Sequence, residues 1–130
     1  MNKKIESFLL SQSCMTIATI GPYCATCFYA YEKDTKSILF KSKLDSTHIE
    51  NIILNNKVAG TIHSNKQQIT SFIGIQFTGI AYRIRTNEGL YYYTKYPLSI
   101  AMPGELWSID IHYIKMVTNT LGIIEIIEYK

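Results

Sequence analysis

Three runs rich in Ile, Thr, Tyr and Phe, Met15 to Ile20, Tyr23 to Tyr31 and Ser37 to Ser42, follow one another with only Gly21-Pro22 and Glu32-Lys33-Asp34-Thr35-Lys36 between them. β-branched and aromatic residues suit a pleated, half-buried surface, and the connections carry turn chemistry. Two successive hairpins are therefore predicted. Nearer the C-terminus, Trp107, Ile109, Ile111 and Tyr113 alternate with Ser108, Asp110 and His112, the period-two pattern of a half-buried strand.

Helical spacing is brief and scattered. Ile5, Phe8 and Leu9 predict a short helix over Lys3 to Ser11. Ile49, Ile52 and Ile53 predict a second, capped by Asp45, Ser46 or Thr47 and ending at Asn55-Asn56; Thr47 and Glu50 have the spacing of a capping box. A third is expected over Asn87 to Tyr96, stopped by Pro97, with Leu90, Tyr93 and Tyr96 on one face. Strand-like runs cover Lys57 to Ser64, a long Ile69 to Arg85 with Gly74 and Gly79 as candidate bulges, Met116 to Thr118 and Ile123 to Tyr129. The order, with strands dominant and no regular strand-helix alternation, predicts a mainly β fold, an antiparallel barrel with helices at its ends and gap.

With 47% hydrophobic and 18% charged residues in 130, the chain has material for one core, so disorder is excluded and a single domain over residues 1–130 is expected. A net charge of +3, spread without blocks of like sign, offers no stripe for nucleic acid, though small anions remain possible ligands. No apolar window approaches ~18 residues, the length of a membrane span. The start MNKKIESFLLSQS resembles a secretory signal superficially, but Glu6, Ser7, Ser11 and Gln12 interrupt the apolar run, and an amphipathic helix fits better. Three cysteines, an odd number, suit a reducing compartment, and the expected location is cytoplasmic.

Cys24-Ala-Thr-Cys27 has the CxxC spacing of redox and zinc sites, yet in a strand residues three apart face opposite ways, so two ordinary half-buried cysteines are expected and no metal site. His48, His63 and His112 have no motif partner, and Gly74-Ile-Gln-Phe-Thr-Gly79 is no dinucleotide fingerprint. FKSKLDSTHIENI is more informative. A strand ending in Lys41-Ser42-Lys43 leads tightly into a helix beginning Ser46-Thr47-His48, gathering hydroxyls, ammonium groups and an imidazole at the positive end of a helix dipole. The cluster could hold a phosphate dianion, or the hydroxyls could only cap the helix while the lysines solvate a strand end.

The same segment, ILFKSKLDSTHIENIILNNKVAGTI, resembles the strand, phosphate-binding turn, helix and strand of the pyridoxamine 5'-phosphate oxidase-like family, the FMN-binding split barrels. MTIATIGPYCATCFYAY resembles the first barrel hairpin, GIQFTGIAYRI the long strand, and LWSIDIHYIKMVTNTLG the closing strands; GIQFTG, the late W-x-I and NTLG are closest to the YhbP-like group. The resemblance implies an antiparallel six-stranded split β-barrel, a homodimer with cofactor sites at the subunit interface, and FMN. It implies that the phosphate lies at Ser42, Ser46, Thr47 and His48 beside Lys41. The isoalloxazine would lie along Ala25, Thr26, Cys27 and Phe28, whose backbone can bond its pyrimidine edge, and near Gln76, with Trp107 approaching from the partner or simply anchoring its strand. Where flavin-binding members usually carry a basic pair such as Arg-Lys, this chain has Thr47-His48, leaving Lys41, Lys43 or a protonated His48 to supply charge.

The leading expectation is an FMN-dependent oxidoreductase acting on a small-molecule substrate. A flavin- or haem-binding sensor or stress module on the same fold is the alternative, and a thiol or metal redox protein built on Cys24 and Cys27 a third.

Overall fold

Gly21, at φ 97°, lets the chain reverse between β1 (Cys14–Thr19) and β2 (Tyr23–Glu32), a conformation that costs a residue without Cβ least. In the computed structural model, which describes residues 1–130, β3 (Ser37–Ser42) follows as the third strand of the meander. α2 (Thr47–Leu54) then leads into β4 (Lys57–His63) and β5 (Ser71–Arg83). A 3₁₀ turn, α3 (Leu90–Lys95) and a second 3₁₀ turn (Pro97–Ala101) precede β6 (Glu105–Thr120) and β7 (Ile123–Tyr129), and α1 (Lys3–Ser11) opens the chain. All strand pairs are antiparallel in the order β3-β2-β1-β4-β5-β6-β7, and β3 also pairs with β6. That contact closes β1 to β6 into a six-stranded split barrel, with β7 as an additional edge strand.

β6 serves three neighbours. One edge pairs with β3 over Glu105–Asp110 and with β7 over Ile114–Thr120, while the other runs along β5. Between Thr78↔Tyr113 and Gly79↔Ile111 the register skips His112. This bulge changes which side chains point inward, so burial passes from Trp107 and Ile109 to Ile114 and Met116, and the expected alternation through Tyr113 breaks there. Gly79 belongs to the bulge because a Cβ at this position would collide with the Asp110 carbonyl oxygen. Gly74 lies in regular ladder, with Phe72 over it, and marks no bulge.

The interior is filled by Ile17, Tyr29, Ile38, Phe40 and Ile109, all fully buried, among others. α1 contributes Ile5 and Leu9 to this core, and α2 contributes Ile49 and Ile52. α3 packs outside the barrel, where Tyr92 covers Ala30, Leu39 and Leu106. The third helix is shorter than its spacing suggests because Gly89, bonded back to Thr86, closes a separate 3₁₀ turn first. Its buried residue is accordingly Tyr92, while Leu90 is exposed.

Candidate functional site

β2 and β3 pair only over Tyr29–Glu32 and Ser37–Phe40. On its first half, Tyr23 to Phe28, β2 pairs with β1 alone, so its other edge is open. The Tyr29 N–H donates to the Ser13 carbonyl at 2.9 Å. Because backbone groups in an antiparallel ladder alternate in direction, those of Cys27 and Ala25 also face β1, and those of Phe28 and Thr26 face the opening. Side chains alternate through the sheet. Cys27 is buried and Ala25 packs on the core, whereas Thr26 and Phe28 are exposed outside, Phe28 edge-on to Tyr96 at 5.7 Å.

Past Ser42 the chain turns away, and the Ser46 N–H closes on the Lys43 carbonyl at 3.1 Å. α2 starts there, held by Ile49 and Ile52 in the core and by Asn51 Nδ2 donating to Thr19 Oγ1 at 3.0 Å. Its first turn brings His48 Nε2 to 2.8 Å from Ser42 Oγ and 3.9 Å from Cys27 Sγ. Burial pushes the Cys27 thiol above its ordinary range, with the Ser42 hydroxyl opposing in part, and pushes the His48 imidazole below 6.5, so it is neutral at pH 7. Cys27, Ser42 and His48 thus form one cluster at the mouth of the split.

Ser46 occupies the N-cap position, but its hydroxyl donates to the Lys43 carbonyl at 2.5 Å and caps nothing. Thr47 is the first helical residue, not the cap, so the expected capping box with Glu50 does not form. The first helical bond runs from the Glu50 N–H to the Ser46 carbonyl. The N–H groups of Thr47, His48 and Ile49 have no partner within the chain and point out of the helix start, where the dipole is positive.

Three of the expected site residues lie apart from this cluster. Strand alternation sends Lys41 to the face opposite Ser42, where its ammonium donates to the Ser99 carbonyl at 2.8 Å and sits 4.9 Å over the Tyr93 ring. With His48 neutral, the exposed Lys43 is the remaining cation at the turn, with Asp45 beside it. Gln76 is on the outer face, in a lateral row with Thr61, Thr16 and Thr26; three inter-strand spacings put it about 14 Å from Thr26. Trp107 is 4% exposed and part of the core, its indole N–H without a partner, so it presents no surface to another subunit's ring. Beside Phe28, an apolar hollow of about 280 Å³ is lined by Tyr92, Tyr96, Leu98 and Met102.

The meeting of Cys27 with His48 was not anticipated from the sequence. The signal was the hairpin register: extending Tyr29↔Phe40 by two residues sets Cys27 opposite Ser42, and His48 lies in the first turn of the helix beyond.

No family model matches the chain. It is 33% identical over 125 residues to a UPF0306 protein of Photorhabdus laumondii, an alignment covering 91% of this chain and 87% of the relative. The chain belongs to the UPF0306 family. Among solved structures, a haem-binding protein of Mycobacterium smegmatis matches this UPF0306 chain with a TM-score of 0.74 at 12% identity, over 94% of this chain and 56% of the other. A FAD-binding protein of Mesorhizobium loti matches with a TM-score of 0.69 at 14% identity, over 87% and 89%. At such identities the matches establish the split-barrel fold that the UPF0306 chain shares with flavin- and haem-binding proteins. None of its helices is long and apolar enough to cross a membrane.

Proposed function

We propose that this UPF0306 protein binds FMN in the opening between β2 and β3 and acts as a homodimeric oxidoreductase on a small molecule. The observation that carries this reading is the open edge of β2 beside the uncapped start of α2. The backbone N–H and C=O of Thr26 and the N–H of Phe28 suit the alternating donors and acceptors of a flavin pyrimidine edge. The free N–H groups of Thr47 and His48, with the Ser42 hydroxyl and the Lys43 ammonium, suit a phosphate. A bound flavin would supply hydride transfer at its N5, while the protein orients it and shields it from water. The flavin and haem proteins among the structural neighbours support a cofactor of this size in this fold, and the GIQFTG and NTLG segments favour a place near the YhbP-like group.

The outer face supports the homodimer. The row Thr26, Thr16, Thr61 and Gln76 carries no charge, and adjoining grooves of about 450 and 480 Å³ run along the same strands. Gln76, about 14 Å from Thr26 within one chain, would in such a dimer meet a cofactor bound by the partner. Thr61→Arg should convert the dimer to a monomer in light scattering and weaken FMN binding with it.

Titration of FMN followed by fluorescence quenching tests the reading directly, with FAD and haem titrated in parallel. Quenching by FMN at micromolar protein is expected, and no quenching at tens of micromolar would remove the flavin assignment. A Soret shift with haem but no flavin quenching would favour the sensor alternative. Thr26→Pro deletes an N–H that the β1 ladder does not use, so it should abolish FMN binding while the far-ultraviolet dichroism of the barrel persists.

A further inference from the structure

We propose that Cys27 and His48 form a two-donor site for a soft monovalent cation, Cu(I) above all. Their sulfur and nitrogen stand 3.9 Å apart. With bonds of about 2.3 Å to a thiolate and about 2.0 Å to an imidazole nitrogen, an ion shared between them would subtend about 130°. That opening is wider than a tetrahedral ion takes and suits an ion with two or three ligands. No third His, Cys, Asp or Glu joins the pair, so the four-coordinate set of a structural zinc is missing. Thiolate and imidazole are the donors that soft copper prefers over hard divalent ions. Met15 stands directly across the ladder from Cys27 and is buried on the same face, adding a thioether to the surroundings.

The two donors are held by independent elements. Cys27 is fixed by its ladder with β1, and His48 by the first turn of a helix anchored through Ile49 and Asn51. The His48 Nε2 that faces Cys27 also lies 2.8 Å from the Ser42 hydroxyl, which turns aside when the ring lone pair takes an ion. A bound cation displaces the thiol proton outright. The step exchanges one proton for one cation: the Cys27 S–H bond breaks, a sulfur–copper bond forms, the proton leaves to solvent and no electron is transferred.

The exposed thiols of Cys14 and Cys24 would hold copper by themselves, so the test uses the full chain carrying Cys14→Ser and Cys24→Ser. Anaerobic titration with Cu(I) against bicinchoninate, without flavin, should show one equivalent retained. Adding Cys27→Ser should abolish retention, and adding His48→Gln should lower affinity by at least about tenfold. Equal affinity in the His48→Gln protein would mean a lone-thiol adduct and overturn the site, as would no retained copper in the Cys14→Ser, Cys24→Ser protein. Should Cys27→Ser fail to fold, X-ray absorption of the copper-loaded Cys14→Ser, Cys24→Ser protein decides: one sulfur and one nitrogen neighbour are expected, and a shell of sulfur alone refutes it. FMN binding is measured separately, so either result can fail without the other.

Discussion

α1 and α2 do the same work in the core, each inserting two aliphatic side chains, Ile5 and Leu9 in one case and Ile49 and Ile52 in the other. Their first turns differ. Asn2 caps α1, its Oδ1 accepting from Lys4 N at 2.7 Å and Ile5 N at 3.4 Å. Ser46, in the equivalent place on α2, turns its hydroxyl to the Lys43 carbonyl and leaves the helix donors free. The helix whose role is packing has the first-turn N–H groups of Lys4 and Ile5 satisfied by its own chain. The helix beside the open edge of β2 keeps them available, and there an anion would find them.

The largest effect that separates the two starts is on ligand binding. Thr47→Glu places a carboxylate at the first residue of α2 and should weaken FMN binding by about tenfold or more, some 1.4 kcal/mol, with no loss of thermal stability because an acid suits a helix start. Lys3→Glu, at the first residue of α1, should leave FMN affinity unchanged by the same fluorescence titration. Next comes a stability effect of the opposite placement. Asn2→Ala removes a working cap and should cost about 1 kcal/mol in urea unfolding while FMN binding stays as it was.

The fold could be read in the sequence better than this contrast, since α2 was expected to carry a cap. The hairpins, the helix over Lys3 to Ser11 and the barrel class were legible because turn residues and side-chain period are local signals. The cluster at Ser42 and His48 was legible as a strand end meeting a helix start. Lys41 was misplaced because it was grouped with Ser42 by nearness in sequence, although the two-residue period that separates Cys24 from Cys27 separates these neighbours as well. The Cys27–His48 contact depends on where β3 leaves β2, and the phase change at His112 depends on a bulge; pairing register decides both, and no short window contains it. Of the two readings of Trp107, approach to a partner's ring or burial as a strand anchor, barrel closure through β3 and β6 leaves the second.

Acid should sharpen the contrast further. Burial lowers the His48 pKa in the folded protein, so between that value and the ordinary 6.5 the unfolded chain holds more protons. Stability from this group is therefore complete above about pH 6.5 and is lost as pH falls through the folded value. The urea midpoint should drop as pH falls below about 6.5, and His48→Gln should flatten that drop. Asn2, being uncharged, gives its side of the comparison no such dependence.

The smallest expected effect is the one that decides whether α2 is truly uncapped. Ser-to-Ala at a working N-cap costs about 0.5–2 kcal/mol. Because the Ser46 hydroxyl bonds the Lys43 carbonyl instead of a helix N–H, Ser46→Ala should cost less than about 0.5 kcal/mol in the same urea titration. A full capping loss, equal to that of Asn2→Ala, would mean that the hydroxyl swings onto the helix in solution and occupies the donors. The two helix starts would then be alike, and a phosphate would have to displace Ser46 before it could use the N–H groups of α2.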